Sequence, residues 1–352
     1  DLEEIGFVFN PYDPCVANRL GNGKQHTVRF HVDDLLSSHV DPSVNDDFYE
    51  WLNAKYGEHG DVTATRGKVH DYLGMILRFN EDELEVDMCD YMSKMVSSFA
   101  EEVGEKEYAS TPAGNDLFTV GEGEELPREL RENFHTVVAK GLFACKRARP
   151  DIHTAISYLC TRVRCPNEDD WDKLRRLILY INKTKDETLH LMADDLSVLK
   201  WYVDASFAVH PDFRSHTGGV MTYGRGAPIT ISRKQKLNTR SSTKSELVGV
   251  DDVSTMILWT KLFLESQGYK IRENVVLQDN KSTILLEKNG KSSSSQRTRA
   301  LNIRYFFITD QVKKGNAVIK YCPTKDMLAD YMTKPLQGAA FKKFKNELLG
   351  IG

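Results

Sequence analysis

Paired cysteines are missing from this sequence. Its six cysteines, at 15, 89, 145, 160, 165 and 322, make no Cys-x-x-Cys pair and no regular framework. That pattern excludes a structural zinc site and fits reduced thiols. Long apolar runs are also missing: the longest candidate, near Met256, is cut by Lys261 before the roughly 18 residues that a membrane span needs, so no membrane partner is expected. The acidic opening Asp1-Leu2-Glu3-Glu4 is not a signal peptide, and without an initiator Met the sequence reads as a fragment. Internal repeats are absent. The low-complexity patch, Ser292 to Ser295, reads as a flexible loop.

What is present is an ordinary globular composition, 40% hydrophobic and 28% charged, over 352 residues. A single core rarely grows past about 250 residues, so several domains are expected. The net charge of -4 hides an asymmetry. Residues 1–200 hold 23 Lys+Arg against 38 Asp+Glu, giving -15, and residues 201–352 hold 24 against 13, giving +11. A basic C-terminal part is the footprint of a polyanion partner such as nucleic acid, although basic surfaces are also merely solvated.

Residues 1 to 50 read as short strands, with Thr27 to Val32 alternating and Asp33-Asp34 forming a hairpin turn before Leu35-Leu36. A helix is predicted over Asp46 to Tyr56, strands at Tyr72 to Leu77 and Glu83 to Val86, and a helix from Tyr91 to Phe99. The stretch Ser110 to Pro127 carries Pro112, Gly114, Gly121 and Gly123 and reads as a boundary. Helical periodicity fills Glu129 to Lys185. Strands follow at Lys200 to Val209, Gly218 to Tyr223 and Ile229 to Ser232, then a helix from Ser242 to Ser266 and a strand at Val275 to Gln278. Helices near Ser282 and Asn302, a strand at Val318 to Tyr321 and a terminal helix complete the chain. The expected class is α+β and α/β, multi-domain, with a mixed sheet at the C-terminal end.

Hydrolysis of a phosphodiester with two metal ions needs several carboxylates converging on ions roughly 3.5 to 4 Å apart. Four positions fit: Asp204 in a strand, Glu246 early in the long helix, Asp279 at a strand end and Asp330 in the terminal helix. Each has a plainer reading. Glu246 completes a Thr243-x-x-Glu capping box, Asp279 with Asn280 forms a turn or an N-cap, and Asp330 sits on a solvated face. Asp204 is harder to explain away, because an acid in an apolar strand is costly without a partner. A basic segment, Arg233, Lys234, Lys236 and Arg240, leads into the Glu246 helix; it is either a solvated edge or a grip on a nucleic-acid backbone.

Several motifs carry a family resemblance: Trp201-Tyr202-Val203-Asp204-Ala205-Ser206, Arg214-Ser215-His216-Thr217-Gly218-Gly219, Ser232-Arg233-Lys234-Gln235-Lys236 and Ser241-Ser242-Thr243-Lys244-Ser245-Glu246-Leu247. They continue with Asp279-Asn280-Lys281-Ser282, Ile303 to Ile308, Tyr321 to Asp330 and Thr333-Lys334-Pro335-Leu336. In this order they resemble the ribonuclease H domain of copia-type LTR retrotransposon Pol polyproteins. The resemblance implies that Asp204, Glu246, Asp279 and Asp330 bind two Mg2+ or Mn2+ ions and that the substrate is the RNA strand of an RNA:DNA hybrid. Ala300 stands where many relatives have His, which puts a substrate contact in doubt.

The same family covers the N-terminal half as the latter part of a reverse transcriptase. Pro11-Tyr12-Asp13-Pro14-Cys15 resembles the segment before the polymerase hairpin, and His31-Val32-Asp33-Asp34 its Tyr-x-Asp-Asp box with His for Tyr. Asp33 and Asp34 thereby become palm metal carboxylates. Tyr72-Leu73-Gly74-Met75 resembles the primer grip, Ser110-Thr111-Pro112 the end of the palm, and Arg149 to Leu159 the helical thumb and connection. The domains expected are 1–111, a truncated palm; 112–195, a helical thumb and connection; and 196–352, ribonuclease H-like. The family's first palm aspartate and its fingers are not in this sequence, so the polymerase half is expected to be inactive alone. The resemblance implies a nuclear or cytoplasmic, virus-like-particle location and contact with other parts of the polyprotein. The rival reading is a decayed or repurposed retroelement fragment that binds nucleic acid without catalysis. A transposase-type or integrase-type nuclease fits the Thr243 to Glu246 and Leu328-Ala329-Asp330 segments less well.

Overall fold

The computed structural model describes residues 1–104, 106–290 and 307–352; Ser292 to Ser295, Ala300 and the helix expected near Asn302 lie outside them. Among the described residues the chain is mixed α/β, with fourteen strands in three sheets and ten α-helices, none of them long and apolar enough to cross a membrane.

An antiparallel meander opens the chain: β1 (Val8–Asn10), β2 (Asp13–Gly21), β3 (Lys24–His31) and β4 (Asp34–Ser38). Helix α1 (Pro42–Tyr56) begins where Asp41 accepts from the Ser43 amide and Pro42 fixes the first turn. It closes a small core of Phe7, Ala17, Val28 and Phe48. Next come β5 (Val69–Tyr72), β6 (Met75–Phe79), β7 (Leu84–Asp87) and α2 (Cys89–Ser97). The single strand expected over Tyr72 to Leu77 is in fact a hairpin. Leu73 and Gly74 have φ of 53° and 76°, the double positive φ of a two-residue turn that matches strand twist.

The helical middle is α3 (Arg128–Cys145), α4 (His153–Cys160) and α5 (Glu168–Thr184), the last started by a reciprocal Asn167–Asp170 capping box. After β8 (Leu189–Ala193) comes a five-stranded sheet. Its antiparallel part is β9 (Val198–Ser206), β10 (His216–Thr222) and, beyond a two-residue β11 (Gly224–Arg225), β12 (Ile229–Lys234). The 25-residue α6 (Ser242–Ser266) leads to β13 (Glu273–Gln278) and α7 (Lys281–Asn289), and α8 (Phe307–Lys313) to β14 (Val318–Tyr321). The order is β12-β10-β9-β13-β14, with β13 parallel to β9 and β14 parallel to β13.

Asp330 does not lie in a long terminal helix. It opens the four-residue α9 (Asp330–Thr333), separate from α10 (Gly338–Leu349). Pro335 explains the break, because the residue before a proline is driven out of helical conformation and Lys334 is extended, with ψ 139°.

Strand β9 shows how the layers form. Leu199, Trp201 and Val203 are fully buried in a core with Val250, Val253 and Ile257 of α6. Tyr202 and Asp204 alternate to the other face, where α9 lies. The largest core runs from Met92 and Met95 of α2 through α3, α4 and α5 to Tyr331, Met332, Phe341 and Leu348. The third sheet, β11-β8-β7-β6-β5, likewise joins distant parts of the chain. On the outer edge of β12, the carbonyls of Thr230 and Ser232 accept from Lys146 Nζ at 3.1 Å and Ser157 Oγ at 2.7 Å, which satisfies the edge strand with side chains of α4 and of the residue after α3.

Candidate metal centre

Strand register brings the first two acids together. In the parallel pair, Leu277 of β13 stands beside Tyr202 of β9, so two residues further on Asp279 emerges beside Asp204. Glu246 arrives from the second turn of α6. Oxygens of Asp204, Glu246 and Asp279 lie within 4.8 Å of one another, and among the described residues this is the one such group of potential metal ligands. Asp330 is outside that trio but adjoins it: Lys334 Nζ is 2.8 Å from Asp330 Oδ1 and 3.5 Å from Asp204 Oδ2.

Local structure rules out the plainer readings of these acids. The N-cap of α6 is Ser241, which accepts from the Lys244 amide, so Thr243 and Glu246 do not form the capping box. Asn280, not Asp279, caps α7 by accepting from the amides of Ser282 and Thr283. Asp330 is 7% exposed, which is no solvated face. Two of the four carboxylates are held in place by a neighbouring hydroxyl. Thr333 Oγ1 donates to Asp204 Oδ2, and Thr324 Oγ1 donates to Asp279 Oδ2 at 2.9 Å.

Burial and mutual repulsion shape the electrostatics. Glu246 is pushed well above the usual carboxylate range, by burial first and then by the charges of Asp204 and Asp279. Asp330 is pushed up to about 7, again by burial and then by Asp204. One oxygen of Glu246, Oε2, is buried without a hydrogen-bond partner. Hard oxygen donors, crowded, repelling one another and incompletely satisfied, suit a hard divalent cation such as Mg2+ or Mn2+.

The glycine pair of the second motif has a separate reason at each position. Gly218 stands opposite Asp204 in the β9–β10 register. A Cβ there would meet Thr333 Cγ2 at 2.6 Å, the Ala329 carbonyl oxygen at 2.8 Å and Met332 Cβ at 2.8 Å. Gly219 faces α6, where a Cβ would meet the Val253 methyls at 3.2 and 3.3 Å and Ile231 Cβ at 3.4 Å, and no backbone atom as close. The Ala329 carbonyl cannot rotate away, so Gly218→Ala should push α9 off the sheet at about 1–3 kcal/mol. Since α9 carries Asp330 and Thr333, Mn2+ affinity of this variant should fall about tenfold, about 1.4 kcal/mol. Gly219→Ala should cost less in both; equal losses in melting temperature and Mn2+ affinity for the two variants would refute the close-approach account.

A buried histidine chain ties the same helix to the sheet. Ser232 Oγ donates to the Met332 carbonyl at 2.8 Å, so His216 Nε2, 2.8 Å from that hydroxyl, must donate to it. The bare His216 Nδ1 then accepts from His210 Nε2 at 2.9 Å. His216 stands in the second motif, whose local pattern does not announce this role.

The His216 ring is therefore neutral, and His210 is pushed down to about 4 by burial and then Lys234. His26, buried in the first sheet, is also pushed down to about 4, by burial and then Arg19. His216 and His153 lie well below the ordinary imidazole value. The unfolded chain takes up protons below pH ~6.5 while these folded rings do not. Stability is thus full above pH ~6.5 and drains as the pH falls toward 4, by about 1.4 kcal/mol per ring per unit. Urea midpoints should hold from pH 7.5 to about 6.5 and then fall toward pH 5; a flat profile below pH ~6.5 would contradict buried neutral rings.

The other expected residues are dispersed. Asp33 and Asp34 are exposed at the β3–β4 turn, where Asp34 pairs with His31, and neither joins a group of potential metal ligands among the described residues. Of the four cations, Arg233 is paired with Asp252 at 3.2 Å and Lys234 with Asp212 at 2.7 Å. Lys236 and Arg240 are exposed.

No family model matches the chain. It is similar to the retrovirus-related Pol polyprotein from transposon RE1 of Arabidopsis thaliana, 27% identical over 352 residues, which cover 99% of this chain and 23% of that protein. The RE2 transposon polyprotein of the same plant is 27% identical over 322 residues, 90% of this chain and 21% of its own length. A putative transposon Ty5-1 protein of Saccharomyces cerevisiae is 27% identical over 239 residues, 66% of this chain and 74% of that protein. The chain thus spans about a fifth of the length of the two plant polyproteins.

Proposed function

We propose, on the premise that the homologues of this chain are retrovirus-related Pol polyproteins of copia-type transposons, that it is a retroelement-derived fragment whose residues 196–352 form a ribonuclease H-like nuclease. Residues 1–111 would be the latter part of a reverse-transcriptase palm and 112–195 its thumb and connection. The observation that carries the nuclease reading is the meeting of Asp204, Glu246 and Asp279 from three separate elements, with Asp330 buried beside them.

Asp204, Glu246, Asp279 and Asp330 would hold the divalent ions, which when bound supply an activated water and charge for the leaving oxygen. The chain's own part is positioning. Thr333 fixes one oxygen of Asp204, Thr324 fixes one of Asp279, and Gln278 Oε1 accepts from the Asp279 amide at 3.0 Å, setting the turn that aims that acid. The substrate proposed is an RNA:DNA hybrid with its RNA strand at these acids. The polymerase reading rests on homology and on the Asp33–Asp34 hairpin, so the nuclease half is where activity of this chain is expected.

The test is to give the full chain a labelled hybrid, duplex DNA, duplex RNA and single strands with Mg2+ or Mn2+. Cleavage confined to the RNA of the hybrid is expected. A folded chain that binds hybrid and cuts nothing would favour the repurposed, non-catalytic reading. Lys236 and Arg240 are the better phosphate contacts of the basic segment, because Arg233 and Lys234 already serve Asp252 and Asp212. Replacing both with Ala should flatten the log-log salt dependence of hybrid binding by about one unit per contact, leaving turnover at saturation near wild type.

A further inference from the structure

Lys334 directly follows α9, and its side chain turns back onto the acid cluster. Its Nζ bridges Asp330 Oδ1 at 2.8 Å and Asp204 Oδ2 at 3.5 Å, between two of the four proposed metal ligands. Two features hold it there. Pro335 forces the backbone of Lys334 out of helical conformation directly after α9, and Thr333 anchors the preceding residue on Asp204. A side chain that still reaches Asp330, four residues earlier, closes the gap between the acids with a charge of the sign and hydrogen-bonding capacity that carboxylates require.

We propose that Lys334 is a built-in counter-ion for the acid cluster, occupying the Asp204–Asp330 edge before metal loading and giving it up to the incoming divalent ion. The inference rests on the four-acid reading and goes beyond it, since it concerns what keeps those acids together without metal. Ammonium and divalent ion compete for the same oxygens, so the lysine weakens metal binding while sparing the metal-free fold the repulsion of uncompensated carboxylates.

The experiment measures Mn2+ binding to the full chain by calorimetry, for wild type, Lys334→Met and Asp279→Asn. Removing the ammonium should tighten Mn2+ binding about tenfold, a discounted value because the lysine is partly exposed while both carboxylates are buried. It should also lower the melting temperature in chelator while leaving it closer to wild type with Mn2+. Asp279→Asn should weaken binding in the usual way for a lost ligand. If wild type binds Mn2+ and Lys334→Met binds it no tighter, the counter-ion inference falls alone; if wild type and Asp279→Asn both fail to bind, the four-acid reading falls with it. A second measurement needs no variant. Acetylation of wild type followed by peptide mass spectrometry should show Lys334 reacting several times faster with Mn2+ than with chelator, with exposed Lys342 as internal reference. An unchanged ratio would overturn displacement whatever the variants do.

Discussion

Asp204→Asn and Asp279→Asn should each lower hybrid cleavage at saturating metal and substrate by about 10^3-fold, the loss expected when a preorganised charge at a reacting centre is removed. Asparagine keeps the volume and one acceptor oxygen, so Thr333 and Thr324 can go on donating at the two positions. The loss therefore reports on charge. Stability should move the other way for Asp204→Asn. Asp204 raises the proton affinity of both Glu246 and Asp330, so its charge repels theirs in the folded state without metal. Removing it should raise the metal-free melting temperature by about 2–4 °C, the shift that about 1 kcal/mol gives at this size. A variant more stable and inactive separates a site residue from a structural one. Cleavage within tenfold of wild type in both variants would remove these acids from the chemistry.

Much of the site's frame was legible in the sequence because its elements are long and periodic. Helix α6 was read at its observed bounds, Ser242 to Ser266, and the β9, β10 and β12 meander within a few residues. What local pattern could not supply was pairing across distance. Nothing in Leu189 to Ala193 or in the dipeptide Gly224-Arg225 announces that they continue a sheet begun at Val69, because partner choice depends on the whole core. Short turns were the second loss: Leu73-Gly74 breaks an apolar run that reads as one strand. Pro335 was visible, yet its consequence was missed, and with it the separation of α9 from α10.

The four acids were legible one by one, but their rivals were decided by capping residues that only the fold identifies. Ser241 and Asn280 take the capping roles and leave Glu246 and Asp279 free. Gly218, Thr333 and Lys334 each stand in a motif whose pattern alone gives them no function. Their roles come from α9 lying on the Asp204 face of the sheet, a contact that no spacing along the chain encodes.

The segment that anchors α9 from the other side gives the largest expected effect on stability. Arg149 and Asp151 are wholly buried and form a two-bond ion pair, Nε to Oδ1 at 2.9 Å and Nη2 to Oδ2 at 2.8 Å. Arg149 also donates to the carbonyl and hydroxyl of Thr184, and Tyr180 Oη donates to Asp151 Oδ2 at 2.7 Å. Burial alone would raise Asp151; Arg149 and Tyr180 overcome it and hold the carboxyl below its usual range. Asp151→Ala would strand a guanidinium in the core, and breaking such a pair from one side costs about 3–5 kcal/mol. The melting temperature should drop by roughly 10 °C. Replacing the network together, as Arg149→Met, Asp151→Leu and Tyr180→Phe, should leave stability near wild type or above it, because no buried charge is then left unpaired. The link to function runs through the backbone: Tyr331 Oη donates to the Asp151 carbonyl at 2.9 Å, a bond that every side-chain substitution at 151 keeps. Where it stays folded, Asp151→Ala should accordingly cleave hybrid at low temperature within about twofold of wild type, an expected barrier change below about 0.5 kcal/mol. A large loss of turnover in a folded Asp151→Ala chain, or a triple variant as unstable as the single one, would show that the pair acts on the site directly rather than through stability.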